Sequence, residues 1–155
     1  MRVVIKNQES NLHDQKIGDN MNKISLGFVL ACAYNSGIGI FSKGFGNSLG
    51  EIDPLFLGGG CIGIQLWGLA YLALARHYAA APAVALVFCI EKLFYAQHWL
   101  FWIAEHGVSI PSMIETDPLT GIFYAIYGSG DIAFMFFFGW VAWKYRTEIY
   151  PSSDI

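Results

Sequence analysis

Four long apolar runs, separated by short polar or glycine-rich stretches, dominate the chain: Lys23–Ser42, Pro54–Arg76, Pro82–Ala104 and Leu119–Trp143. At about 1.5 Å per residue, each is long enough for a helix to cross a hydrocarbon core of about 30 Å. The pattern predicts an all-α integral membrane protein, a four-helix transmembrane bundle over residues 23–143. A polar segment, residues 1–22, precedes it and a tail, residues 144–155, follows, which leaves no room for a separate soluble domain.

Polar residues interrupt each run near its middle. Asn35, Gln65, Glu91 with Lys92, and Asp131 all fall within about one to two helical turns of the expected midplane. Ionisable groups at that depth cost several kcal/mol unless paired or hydrated, so they are expected to point inward and share one layer. At about 100° per residue, Glu91, Tyr95, His98 and Trp102 form one stripe of the third run, and Tyr124, Tyr127 and Asp131 a similar stripe of the fourth. The simplest arrangement pairs Lys92 with Asp131, leaves Glu91 near Tyr95, and sets His98 about 10 Å further out. Two carboxyls against one ammonium leave a negative excess, which a proton or a visiting cation would balance. The candidate ligand- or proton-binding residues are therefore Glu91, Lys92, Asp131, His98, Tyr95, Gln65, Asn35 and Tyr127. The competing expectation is a polar network that only fixes helix packing and register.

Composition agrees with membrane residence: 55% of the 155 residues are hydrophobic and only 14% charged, too apolar for an ordinary soluble domain. A net charge of −3 argues against nucleic acid as a partner. Basic residues set the orientation. Arg2, Lys6, Lys16 and Lys23 precede the first run, Arg76 lies between the second and third, and Lys144 and Arg146 follow the fourth. The other two loops hold Lys43 alone against Glu51, Asp53, Glu105, Glu115 and Asp117. Both termini are expected in the cytoplasm, in an inner or plasma membrane. No small-residue cleavage pattern follows the first apolar run, so it is read as a retained helix.

Local signals add detail. Asp53-Pro54 and Asp117-Pro118 read as N-caps followed by proline, within a repeated E-x-D-P-L that suggests two helical hairpins in parallel repeat. Gly59-x-x-x-Gly63 suggests close helix approach, and Gly128-Ser129-Gly130 a kink or a tight contact. Trp140, Trp143 and Tyr145 suggest one interfacial aromatic belt, Trp99 and Trp102 part of the other. Cys32, Cys61 and Cys89 lie inside the runs without a C-x-x-C pair and read as small core residues. No metal site is expected: Glu91 and His98 stand two turns apart, and no H-E-x-x-H, phosphate loop or G-x-S-x-G occurs. The residues point to no particular cofactor.

The function expected from this pattern is a multi-pass protein in the lipid bilayer that binds or moves a small solute or proton. An intramembrane enzyme acting on a lipophilic ligand and a structural subunit of a larger membrane complex are the rivals. Association as a homo-oligomer or as a membrane-complex subunit is expected, because four short helices enclose little volume.

Overall fold

The computed structural model describes residues 23–146. The expected N-terminal segment, residues 1–22, and most of the tail lie outside the described residues. Five α-helices and two 3-10 turns make up the rest, with no strand among the described residues. Helix α1 runs Lys23–Phe41, its regular pattern interrupted once by a turn at Gly37. A 3-10 turn at Pro54–Phe56 leads to α2, Gly58–Leu74. Helix α3 runs Pro82–His106. A second 3-10 turn, Gly107–Ser109, and the short α4, Ile110–Thr116, lead to α5, Pro118–Lys144.

Three stretches, Lys23–Phe41, Pro82–Thr116 and Pro118–Lys144, are long and apolar enough to cross a membrane. Helix α2 is apolar but has only 17 residues, four fewer than Pro54 would have given it. Leu57 is extended (φ −56°, ψ 159°) and breaks the helix from the turn before it. The following Gly58-Gly59-Gly60 has little propensity to extend a helix backwards. The stretch between the third and fourth runs, read in the sequence as a loop, is helical as the end of α3 and α4, and its Glu105 and Glu115 are exposed.

Side-chain contacts arrange the four long helices in a ring. Ser25 at the start of α1 donates to the carbonyl of Ala75 at the end of α2, so the two run antiparallel. Helices α2 and α3 meet through Tyr71 and Phe88, whose rings are 4.7 Å apart. Helices α3 and α5 cross closely: a Cβ added at Gly128 would lie 2.1 Å from the Trp99 ring. Helix α5 closes on α1, where a Cβ at Gly130 would lie 2.4 Å from the Tyr34 ring. Gly128-Ser129-Gly130 is thus a packing notch on both faces of an unbroken α5, not a kink.

Two aromatic cores fill the ring. One gathers Phe28, Tyr71, Tyr78, Phe88 and Phe138 near the chain-terminal end. The other gathers Phe56, Trp102, Phe123, Tyr124 and Tyr127 near the opposite end. Between them lie Asn35, Glu91, Lys92 and Asp131, all buried. The outer surface is the reverse of a soluble protein's, with Leu30, Leu66, Phe94 and Phe136 all more than half exposed.

Three local expectations are corrected, and the Asp53 cap holds for a shorter element than expected. Gly59 and Gly63 pack against nothing, since an added Cβ would find no atom within 4 Å at either. The α2 glycine that meets α1 is Gly68, 3.1 Å from Asn35 Cβ by the same construction. Trp99 and Trp102 are bundle residues rather than an interfacial belt. Trp99 Nε1 donates to the Tyr124 carbonyl at 2.8 Å, and Trp102 stacks on the Tyr124 ring at 4.3 Å; Trp140 and Trp143 are exposed as expected. The two D-P steps also differ. Asp53 Oδ1 accepts from Leu55 N–H at 3.0 Å and caps the 3-10 turn rather than a long helix. Asp117 makes no capping bond to α5.

Asp117 instead ties the α1–α2 connection to the start of α5, accepting from Lys43 Nζ at 2.5 Å and from Thr120 Oγ1 at 2.8 Å. These bonds, Lys43 first, hold its carboxyl below the usual carboxylate range. A lowered acid stabilises the fold above its ordinary value and loses that contribution as pH falls through the lowered one. Asp117→Asn should therefore melt slightly below the wild type at pH 7, a small effect because both partners are exposed. The difference should vanish as the pH drops well below about 4. Melting curves of both proteins across that range are the check, and a difference that persists in acid would exclude the ion pair as its cause.

Candidate functional site

Lys92, 1% exposed, is the hub of the polar layer. Its Nζ donates to Asp131 Oδ1 at 2.7 Å and to Asn35 Oδ1 at 2.8 Å, and lies 3.8 Å from Glu91 Oε1. Asn35 is itself fixed by donating Nδ2–H to the Ile64 carbonyl at 2.9 Å, which leaves its oxygen for the ammonium. The rings of Tyr71, Tyr34 and Tyr95 stand 5.4, 5.5 and 6.0 Å from Nζ, so the cation is surrounded by aromatic faces as well as oxygens. Helices α1, α3 and α5 each supply one member of this triad, which is why it sits on the bundle axis.

Glu91 pairs elsewhere than expected. Its Oε2 accepts from Tyr71 OH on α2 at 2.5 Å, rather than from Tyr95 one turn along its own helix. Its Oε1 is buried and has no hydrogen-bond partner among the described residues; the same holds for the hydroxyl of Tyr127. Each such group forfeits about 1–3 kcal/mol relative to a satisfied one.

The two residues that carry these groups, Glu91 and Tyr127, line one cavity of about 80 Å³. Asn35, Lys92 and Asp131 form its polar floor with Glu91, while Ile38, Phe41, Phe56, Ile64 and Phe123 make the walls. Ile126, half exposed on α5, stands at its edge, and Tyr34 OH bridges α1 to α5 by donating to the Tyr127 carbonyl. The arrangement is an apolar chamber ending on a cluster of two carboxyls and one ammonium.

Of the residues proposed from sequence, Asn35, Glu91, Lys92, Tyr95, Tyr127 and Asp131 line this cavity; Gln65 and His98 do not. Gln65 donates to Ser36 Oγ at 3.1 Å on the α1–α2 seam. His98 lies outward, where its Nε2 shares a 2.6 Å hydrogen bond with the buried Asp53 Oδ2. Three members are new: Tyr34, Tyr71 and, as the partner of His98, Asp53. Tyr71 carries a readable signal, since Ile64, Gly68 and Tyr71 recur at helical spacing and form the buried face of α2. Among the described residues no group of three His, Cys, Asp or Glu side chains is placed to hold a metal.

No protein-family model, curated protein or solved structure matches the chain.

Proposed function

We propose that the chain is a four-span membrane protein whose bundle binds a small, mainly apolar molecule carrying one polar group, in the cavity between α1, α3 and α5. The observation that carries this reading is that Glu91 and Tyr127, each with a buried polar atom that has no hydrogen bond among the described residues (Oε1 and OH), line one apolar-walled chamber. A layer that served packing alone would be expected to satisfy its own polar atoms. The apolar exterior of all four long helices supports residence in lipid, with α2 as the short fourth span. A cavity of about 80 Å³ is equal to the liquid volume of two to three waters, so the enclosed part of the ligand is a few heavy atoms.

Purified protein in nanodiscs, titrated with alcohols and amines of three to five heavy atoms, tests the cavity. At least one compound should raise the melting temperature of the wild type and not that of Ile126→Trp, in which an indole stands at the cavity edge. Equal shifts in both proteins, or none in either, would dismiss it.

The orientation follows from the loop charges, with both termini in the cytoplasm. Cysteines at Asn47 and Ser112, both exposed, should be labelled by an impermeant reagent only from outside in a chain lacking its three cysteines. Labelling of either site from the cytoplasmic side alone would reverse the orientation. Ser48 would be a poor reporter, because its hydroxyl is buried.

A further inference from the structure

Granting that binding site, we infer that its ligand is a small alkylammonium ion, held with its N–H groups on Glu91 and Tyr127 and its alkyl chain along the aromatic wall. Three observations converge on this chemistry.

The first is charge. The site holds Glu91, Asp131 and Lys92; the other ionisable groups around it are Tyr34 on α1, Tyr71 on α2, Tyr95 on α3 and Tyr127 on α5, with Cys61 near Tyr95 and the Asp53–His98 pair near Tyr127. With both carboxylates ionised the cluster carries one net negative charge. An anionic ligand would make it two, a neutral ligand would leave it at one, and a monovalent cation brings it to zero. An uncompensated charge in a low-dielectric interior is the costly case.

The second is saturation. Two of the three Lys92 N–H groups have oxygen acceptors and Glu91 Oε1 lies 3.8 Å from Nζ, so the ammonium is already ringed by three oxygens from Asn35, Asp131 and Glu91. The unsatisfied oxygen belongs to Glu91, an acceptor, and an ammonium supplies the donor it lacks. The Tyr127 hydroxyl oxygen can accept a second N–H.

The third is the wall. Rings of Tyr34, Tyr95, Phe56 and Phe123 line the chamber, and ring faces attract organic cations while tolerating their alkyl parts.

When no ammonium is present, a proton on one carboxyl achieves the same neutrality. Binding is then an exchange: the alkylammonium enters with its charge, one proton leaves to solvent, and no covalent bond other than that O–H is broken. Binding and proton release are thus one event.

The test uses n-butylammonium, 1-butanol and butyrate on the full-length protein in nanodiscs, by calorimetry in two buffers of different ionisation enthalpy. n-Butylammonium should bind at least tenfold more tightly than 1-butanol, butyrate should not bind, and about one proton should be released per ammonium bound. In Glu91→Gln, which keeps the side-chain shape and is verified as folded by its melting curve, the preference for ammonium over alcohol should fall to near one. If 1-butanol binds the wild type as tightly as n-butylammonium, the ammonium assignment falls while the apolar cavity stands. Butyrate binding, or an ammonium preference unchanged in Glu91→Gln, also overturns it. Binding by none of the three, in a protein that melts cooperatively, removes the cavity reading as well.

Discussion

Lys92→Met should destabilise the protein by about 3–5 kcal/mol, and adding Asp131→Asn should restore part of that loss. The single change strips the ammonium from Asp131 Oδ1 and Asn35 Oδ1, which lie 2.7 and 2.8 Å from it, and leaves two carboxyls in the same buried layer. Desolvation is then no longer offset by attraction, and the carboxyls repel each other unless they take up protons. The double change removes the charge on each side of the pair and keeps an amide where the carboxylate stood. Denaturant or thermal unfolding of wild type, single and double variants in one detergent gives the comparison. A double variant no more stable than the single would mean that the two charges do not stabilise one another.

Gly128→Ala should cost about 1–3 kcal/mol, the usual penalty for forcing extra volume into a packed interior. The new methyl would lie 2.1 Å from Cδ2 and 2.4 Å from Cβ of Trp99, too close to Trp99's own Cβ for a ring rotation to relieve. Helices α3 and α5 would have to separate, which also lengthens the Lys92–Asp131 contact one turn away. Gly63→Ala is the matched control. Its methyl meets nothing within 4 Å, so the exchange should be neutral or gain up to about 1 kcal/mol of helix propensity. Melting temperatures of the two variants should therefore move in opposite directions or differ strongly. Equal responses would show that the α3–α5 contact yields easily.

The contrast between these two glycines shows what the sequence can and cannot reveal. Depth along a helix is a simple count from the ends of an apolar run, and it suffices to bring Asn35, Lys92 and Asp131 to one level. Azimuth is harder, because it depends on which face each helix turns inward. Gln65 has the right depth but lies about 100° from the Ile64–Gly68–Tyr71 stripe, and so it meets Ser36 on a seam instead of Lys92. Glu91 goes to Tyr71 for a similar reason: a neighbouring helix offers a donor closer than the residue one turn along its own. The His98–Asp53 bond joins a helix to a loop 45 residues earlier, and no periodicity encodes such a contact. The Gly59-x-x-x-Gly63 spacing is present but meets no neighbour, whereas glycines that do admit another helix, among them Gly27, Gly68, Gly128, Gly130 and Gly139, fit no such motif.

In the proposed membrane-spanning arrangement, the side-by-side placement of Glu91 and Lys92 on α3 bears on how the chain would enter a bilayer. A helix entering lipid alone pays about 2.5–3.5 kcal/mol for each charge near its centre, and α3 carries two. Its counter-charge, Asp131, is synthesised 39 residues later, at the middle of α5. Helix α3 should therefore wait at the translocation machinery until α5 emerges, so that Lys92 enters with Asp131 as its hydrogen-bonded partner. A nascent chain stopped near Asp117 would hold a marginally inserted α3, and the step that commits the protein to the membrane would be the arrival of one aspartate.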